Sequence, residues 1–220
     1  MCYNKEVSMA TYVLGAILST VLFLHGDKYD KNIAIFAFIF IHIQLCEYFM
    51  WSDQKCGKMN HYATIFAHIL LVLQPLSIFL GMYILNTTYI NNKILLILLF
   101  ILIIVLYKTI ELYYNNNKQI CSKKTHSGYL EWNFVNGTIE QQSKSSLVIY
   151  FSLLIIPWLF FKNKIKGLIS FLIIFLTLGY SLFVVNKKRN LIELFKQWES
   201  KWCFIGIIYP IIFLCLKIFE

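Results

Sequence analysis

Charged residues are what this chain has least of. They make up 14% of its 220 residues, while 59% are hydrophobic and the mean hydropathy is +0.65. Soluble globular domains carry about 25% charged and roughly 45–50% apolar residues, so a soluble core of ordinary composition is excluded. Metal-site spacing is missing too: the six cysteines and five histidines form no Cys-x-x-Cys or His-Glu-x-x-His pattern, which leaves no metal or other cofactor to expect. The start MCYNKEVS lacks the glycine of a myristoylation signal, and the first apolar run ends in HGDKYDKN without a small-residue cleavage site. That run reads as a signal anchor rather than a leader. No segment is long and hydrophilic enough to build a basic face for nucleic acid. The net charge of +9 sits mostly in loops, where it orients helices and touches anionic lipid.

What is there is apolar sequence in lengths that cross a bilayer, about 20 residues each. Seven spans are predicted, at 9–24, 33–51, 62–83, 94–113, 147–161, 167–185 and 202–219. The expected fold is an all-α integral membrane protein, a single seven-helix bundle over 1–220 whose partner is the lipid bilayer. A polar loop, 115–146, separates helices 4 and 5. Leu191, Leu194, Phe195 and Trp198 recur at helical spacing and predict a short interfacial helix over 190–199. Alternation puts the N-terminus and loops 2, 4 and 6 on one side, side A. Side A is richer in lysine and arginine than side B, which favours a cytosolic N-terminus. Cys56 and Cys121 pull the other way, since both lie on side A, where an exoplasmic disulfide could join loops 2 and 4. The glycosylation sequons at Asn86 and Asn136 fall on opposite sides.

The chemistry concentrates between His42 and Pro75, where two apolar spans carry His42, Gln44, Cys46, Glu47, His61, His68 and Gln74. At 1.5 Å rise per residue, Glu47 on span 2, His68 on span 3 and Lys108 on span 4 all fall about 6–7 Å to the A side of the midplane. Tyr180 on span 6 shares that level, and Glu111 lies nearer the surface. An unpaired charge at such depth costs at least about 2.5–3.5 kcal/mol, so Glu47, His68 and Lys108 are expected to point inward. They would meet either in a hydrated cavity or in a structural ion pair, Glu47–Lys108. Gln74-Pro75 marks a second candidate, because the proline frees the carbonyl of Leu71. Pro157 and Pro210 interrupt spans 5 and 7, and the breaks in the first and last thirds of the chain, at Pro75 and Pro210, would suit the two halves of a repeat-built transporter. His42 and Cys46, at i and i+4, share a helical face and could form a thiolate pair for acyl transfer. A rhodopsin is excluded, since span 7 offers only Lys217, near its end, and no aspartate counter-ion.

Gln44, Glu47, Trp51, Asp53, Asn60 and Gln74-Pro75, with Trp202-Cys203 opening the last span, form a pattern that resembles uncharacterised multi-pass membrane proteins of mimivirus-like giant DNA viruses. The resemblance covers mainly spans 2 and 3. It implies a viral source and assigns no catalytic residues. Three functions follow as expectations: a transporter or channel for a small polar solute or protons, using Glu47, His68, Lys108, Gln44, Gln74, Glu111 and Tyr180; a receptor-like or scaffolding protein working through 115–146; and an intramembrane hydrolase or acyltransferase using Cys46 and His42.

Overall fold

A computed structural model describes residues 4–116, 118–125, 130–134, 137–138, 144–186 and 207–218. Seven α-helices are described. They are α1 (Lys5–His25), α2 (Lys28–Ser52), α3 (Lys58–Leu85), α4 (Asn92–Tyr114), α5 (Lys144–Ile155), α6 (Lys164–Asn186) and α7 (Ile208–Ile218). A 3-10 turn, Ile156–Phe160, extends α5. Four short strands lie after α4: β1 (Lys123–Lys124) pairs antiparallel with β2 (Leu130–Glu131), and β3 (Asn133–Phe134) with β4 (Gly137–Thr138). Four helices, α1 to α4, are long and apolar enough to cross a membrane. The predicted interfacial helix at 190–199 and the Trp202-Cys203 pair lie outside the described residues.

The helices run past their apolar stretches because polar caps, not hydrophobicity, set their ends. Asp27 caps α2 by accepting hydrogen bonds from the backbone of Tyr29 and Asp30, while the Asp30 carboxylate accepts in return from Asp27 N–H. This reciprocal box satisfies donors that a helix start leaves open. Only Gly26 and Asp27 separate α1 from α2, where the apolar pattern alone predicts a loop of eight residues. Asn91 caps α4, and Asn86 closes α3 in the left-handed conformation, φ 51°, which asparagine tolerates better than most residues.

α2 is the central helix. It packs lengthwise against α1 and α3, and α7 touches both α1 and α2. α4 covers the outer edge of α3 and leaves most of its surface exposed. Such an arrangement suits a membrane, where an apolar outer face needs no protein partner. The core joins Phe36, Phe40 and Ile43 of α2 to Ala67, Leu70 and Ile78 of α3, and to Trp158, Phe161, Tyr209 and Phe213. Trp158 meets Phe36 and Phe161 edge-on, with centroids 5.8 and 5.3 Å apart, the offset geometry aromatic rings prefer.

The three prolines do not act alike. α3 continues through Pro75 without a break. Pro157 starts the 3-10 turn after α5. Pro210 stands in the first turn of α7, where its missing N–H interrupts no hydrogen bond; the expected mid-span break is corrected accordingly.

At the B end, an ion triad closes the bundle. Lys166 Nζ lies 2.7 Å from Asp30 Oδ1 and 3.1 Å from Asp27 Oδ2, with Lys166 and Asp30 buried and Asp27 half exposed. Asn32, also buried, donates to Thr87 Oγ1 at 2.9 Å. Lys162 N–H and Tyr89 N–H bond across to the carbonyls of Thr87 and Phe160. The turn after α3 and the turn before α6 are thereby fastened to the start of α2. A side chain at position 81 would overlap the Asn32 amide, 2.1 Å from an added Cβ, so Gly81 is what lets Asn32 sit there.

Removing one member of a buried ion set leaves the others uncompensated and costs about 3–5 kcal/mol. Asp30→Asn should therefore lower stability by about 3 kcal/mol, read by thermal unfolding in detergent, with Asp27 limiting the loss. Burial raises the Asp27 carboxyl pKa, but the Asp30 and Tyr29 amides and the Lys166 ammonium outweigh it and hold the group below its ordinary 3.8. Because the folded-state value is the lower one, its contribution is fully present above 3.8 and fades as pH falls beneath it. Acid titration of Asp27→Asn, which lacks this group, should show a shallower loss below pH 3.8 than wild type.

Candidate functional site

The densest polar construction lies at the A end, where α2 turns into α3. α3 and α4 form an antiparallel hairpin, so the chain leaving α4 arrives back beside the start of α3. There Cys56 and Cys121 form a disulfide, their Cα atoms 5.5 Å apart, within the usual range for a bridge. A cross-link spanning 65 residues stabilises a free chain by about 4 kcal/mol.

Asn60, in the first turn of α3, organises the surrounding hydrogen bonds. Its Nδ2 donates to the carbonyls of Met50, Asp53 and Ser122 at 3.2, 2.9 and 2.8 Å. Its Oδ1 accepts from Ser122 N–H at 2.9 Å and Thr64 Oγ1 at 3.1 Å. One fully buried amide thus joins the end of α2, the turn, α3 and the segment after α4. Only a side chain with both donors and an acceptor does this. Thr64 Oγ1 also accepts from Ser122 N–H, and the Thr64 and Ser122 hydroxyls lie 3.0 Å apart.

The turn itself is held by Asp53. Its carboxylate accepts from Gly57 N–H at 3.0 Å and from Asn60 N–H at 3.2 Å, capping α3 in place of a residue at the helix start. A Cβ at position 57 would stand 2.4 Å from Asp53 Oδ2, so glycine is required there. Cys56 takes a positive φ of 62° and its carbonyl accepts from the Gln119 amide. Further along, Gln54 Oε1 accepts from Lys124 N–H at 2.7 Å, and His61 Nδ1 accepts from Ile120 N–H at 3.1 Å. Ile120, Leu130 and Trp132 sink their side chains into buried positions beneath. Residues 118–134, where described, form a cap seated on the bundle.

The expected site residues fall apart into separate places. Glu47 is buried, 1% exposed, and accepts from Gln44 Nε2 at 3.0 Å. His68 Nδ1 meets the Tyr113 hydroxyl, linking α3 to α4, with the two rings perpendicular. Lys108 does not turn inward. Its side chain is 67% exposed on the outer face of α4 and pairs with Glu111 at 2.7 Å. The ion pair expected with Glu47 is therefore replaced by a local one, since i and i+3 positions on one helix meet without crossing the bundle. Gln74 Oε1 accepts from the Tyr150 hydroxyl, and Ser77 Oγ donates to Gln74 C=O at 2.7 Å. Tyr180 lies in α6, its side chain outside the described residues.

His42 and Cys46 share a face of α2 without a hydrogen bond between them. His42 Nδ1 bonds the Phe38 carbonyl at 2.7 Å, and its ring packs on Phe38 and Tyr12, while Cys46 is buried in the core. Among the described residues no cluster of metal-binding side chains occurs. Three cavities are described. A small apolar one lies between α2 and α6, one of about 270 Å³ between α1 and α2, and one of about 420 Å³ at the A end of α4. None of the three is lined by Glu47, His68 or Gln74.

The comparisons agree with a viral resemblance and go no further. The chain is 22% identical over 233 aligned residues to an uncharacterised protein of Acanthamoeba polyphaga mimivirus, covering 94% of this chain and 92% of the viral one. No family model matches the chain, and no solved structure matches it significantly.

Asn60, Ser122 and Asp27–Asp30–Lys166 join elements distant in sequence and are not among the expected site residues. Deleting the Asn60 amide leaves the Ser122 carbonyl without its donor, at about 1–3 kcal/mol for a buried group, while Met50, Asp53 and Ser122 N–H keep only their other partners Gln54, Cys56 and Thr64. Asn60→Ala should cost about 3 kcal/mol. It should also raise amide hydrogen exchange at 119–124 before any rise in the core of α2. Equal protection of 119–124 in the variant would contradict the role given to Asn60.

Proposed function

We propose that this chain is a seven-span membrane protein working through its A-side cap, as a receptor-like or scaffolding protein. The observation that carries the reading is the double fastening of 119–124, by the Cys56–Cys121 disulfide and by the Asn60 amide. A connecting loop needs no such fixing, whereas a surface that recognises a partner gains affinity from being ordered beforehand. The spans beyond α4 would be α5 with its 3-10 turn, α6, and the predicted span 202–219, to which α7 belongs.

Side A in this proposal faces an oxidising compartment, the reverse of what the lysine count predicts. Structural disulfides persist in such compartments and are rare in reducing cytosol. Glycosylation reports the side directly. With A exoplasmic, Asn136→Gln should abolish a glycosidase-sensitive mobility shift and Asn86→Gln should leave it intact; the opposite pattern restores the cytosolic N-terminus.

A second reading, a transporter or channel for protons or a small polar solute, is favoured by the buried Gln44–Glu47 and Gln74–Tyr150 pairs of α2, α3 and α5. Intramembrane carboxyl groups commonly mark ion pathways. The two readings separate in one set of variants. Under the cap reading, replacing 118–138 by a glycine-serine linker abolishes cross-linking to its partner on intact membranes, and Glu47→Gln changes nothing. Proton flux in liposomes that is lost in Glu47→Gln but kept with the linker would decide for transport.

A further inference from the structure

The outer face of α4 is apolar except near its A end. Phe100, Ile103, Ile104, Tyr107 and Ile110 are exposed, as an acyl-chain surface requires, yet Lys108 and Glu111 lie among them as an exposed ion pair. α4 has 23 residues, so it is about 34 Å long, a little more than the roughly 30 Å of hydrocarbon it crosses. Lys108 then starts about 7 Å inside the hydrocarbon boundary, and its side chain runs toward Glu111, close to the headgroups. The pair opens onto the depression of about 420 Å³ lined by Lys108, Glu111, Leu112, Asn115 and Asn116. Leu112 is its one apolar lining residue, and the two asparagines follow at the end of α4.

We propose that this depression holds the headgroup of a zwitterionic phospholipid of the A-side leaflet. Such a headgroup carries a phosphate and an ammonium joined by a two-carbon bridge, so it lays one charge of each sign beside a Lys–Glu pair. Phosphate beside Lys108 and ammonium beside Glu111 turn a two-charge pair into an alternating set of four. An anionic headgroup without an ammonium meets attraction at Lys108 and repulsion at Glu111, which cancel. The glycerol backbone and acyl chains then run along Tyr107, Ile104 and Phe100. The site rests on α4 lying in the membrane and is independent of what the cap binds.

The test uses the full chain purified from vesicles of equal parts phosphatidylethanolamine, phosphatidylcholine and phosphatidylglycerol, with retained lipid measured by mass spectrometry. Wild type should retain the two zwitterionic lipids about threefold over phosphatidylglycerol, the size of discrimination that exposed ion pairs yield. Glu111→Gln should invert the preference toward phosphatidylglycerol, because Lys108 is left without its carboxylate. Lys108→Gln should sharpen the preference for the zwitterionic lipids, because Glu111 alone repels phosphatidylglycerol and still attracts an ammonium. An intact Cys56–Cys121 disulfide on a non-reducing gel confirms that each variant is folded. Equal retention of all three lipids by wild type overturns the site, as does an unchanged preference in Glu111→Gln. Displacement by inorganic phosphate, or a dimer lost in Lys108→Gln, overturns it in favour of a free anion or a second copy. Carbonate extraction separates the two levels of failure: release of the protein overturns membrane insertion as well, whereas retention without lipid preference overturns the headgroup site alone.

Discussion

The side-chain amide of Asn60 is the interaction on which the A end depends. Where α2 ends and α3 begins, the carbonyls of Met50 and Asp53 have no helical partner, and the incoming Ser122 brings an N–H and a C=O of its own. Asn60 answers all of them from one buried position. Its geometry is itself set by Asp53, which caps α3, and by Gly57, whose missing side chain leaves room for that carboxylate. The disulfide adds a covalent bond to an arrangement that hydrogen bonds already specify. Neutral groups do this work with little desolvation cost, provided every one is satisfied.

The B end solves the same problem with charge. Asp27 and Asp30 sit at the start of α2, where the helix dipole favours anions, and Lys166 reaches in from the first turn of α6. A buried ion set is weak support for stability in itself. Its consequence is placement: it fixes the start of α6 against α2, while Asn32 and Thr87 fix the turn after α3 against the same helix end. The first half of the chain, α1 to α4, is a run of antiparallel neighbours. The second half is held by this clamp and by the packing of Trp158, Phe161, Tyr209 and Phe213 on the first.

The apolar rhythm of the chain made its helices and their order legible, because hydropathy states plainly where hydrocarbon lies. Helix ends were legible in principle, since Asp27 and Asp30 stand three residues apart before an apolar run, the spacing of a capping box. The depth argument located Glu47, His68 and Lys108 at one level, yet level is only one coordinate. Which way a side chain points around its helix depends on which neighbours pack there, and α4 turned out to touch α3 with one edge. Lys108 accordingly found Glu111, three residues away, rather than Glu47 across the bundle. Asn60 belonged to the pattern shared with viral proteins, but its role needed Ser122, 62 residues away in sequence, and no local spacing signals a partner so distant.

A polar group inside a membrane protein is read first as part of a pathway, and here that reading meets a physical obstacle. Gln44 donates to Glu47, His68 meets Tyr113, and Tyr150 donates to Gln74 Oε1, so most of these groups already hold partners within the protein, while the buried Gln74 Nε2 holds none among the described residues. A conducting path needs these groups to exchange their partners for water or solute, and none of the three described cavities reaches Glu47, His68 or Gln74. At the A end the bonds of Asn60 and the Cys56–Cys121 disulfide hold residues 119–124 against the ends of α2 and α3, and it is on this fixed surface that the proposed cap reading rests.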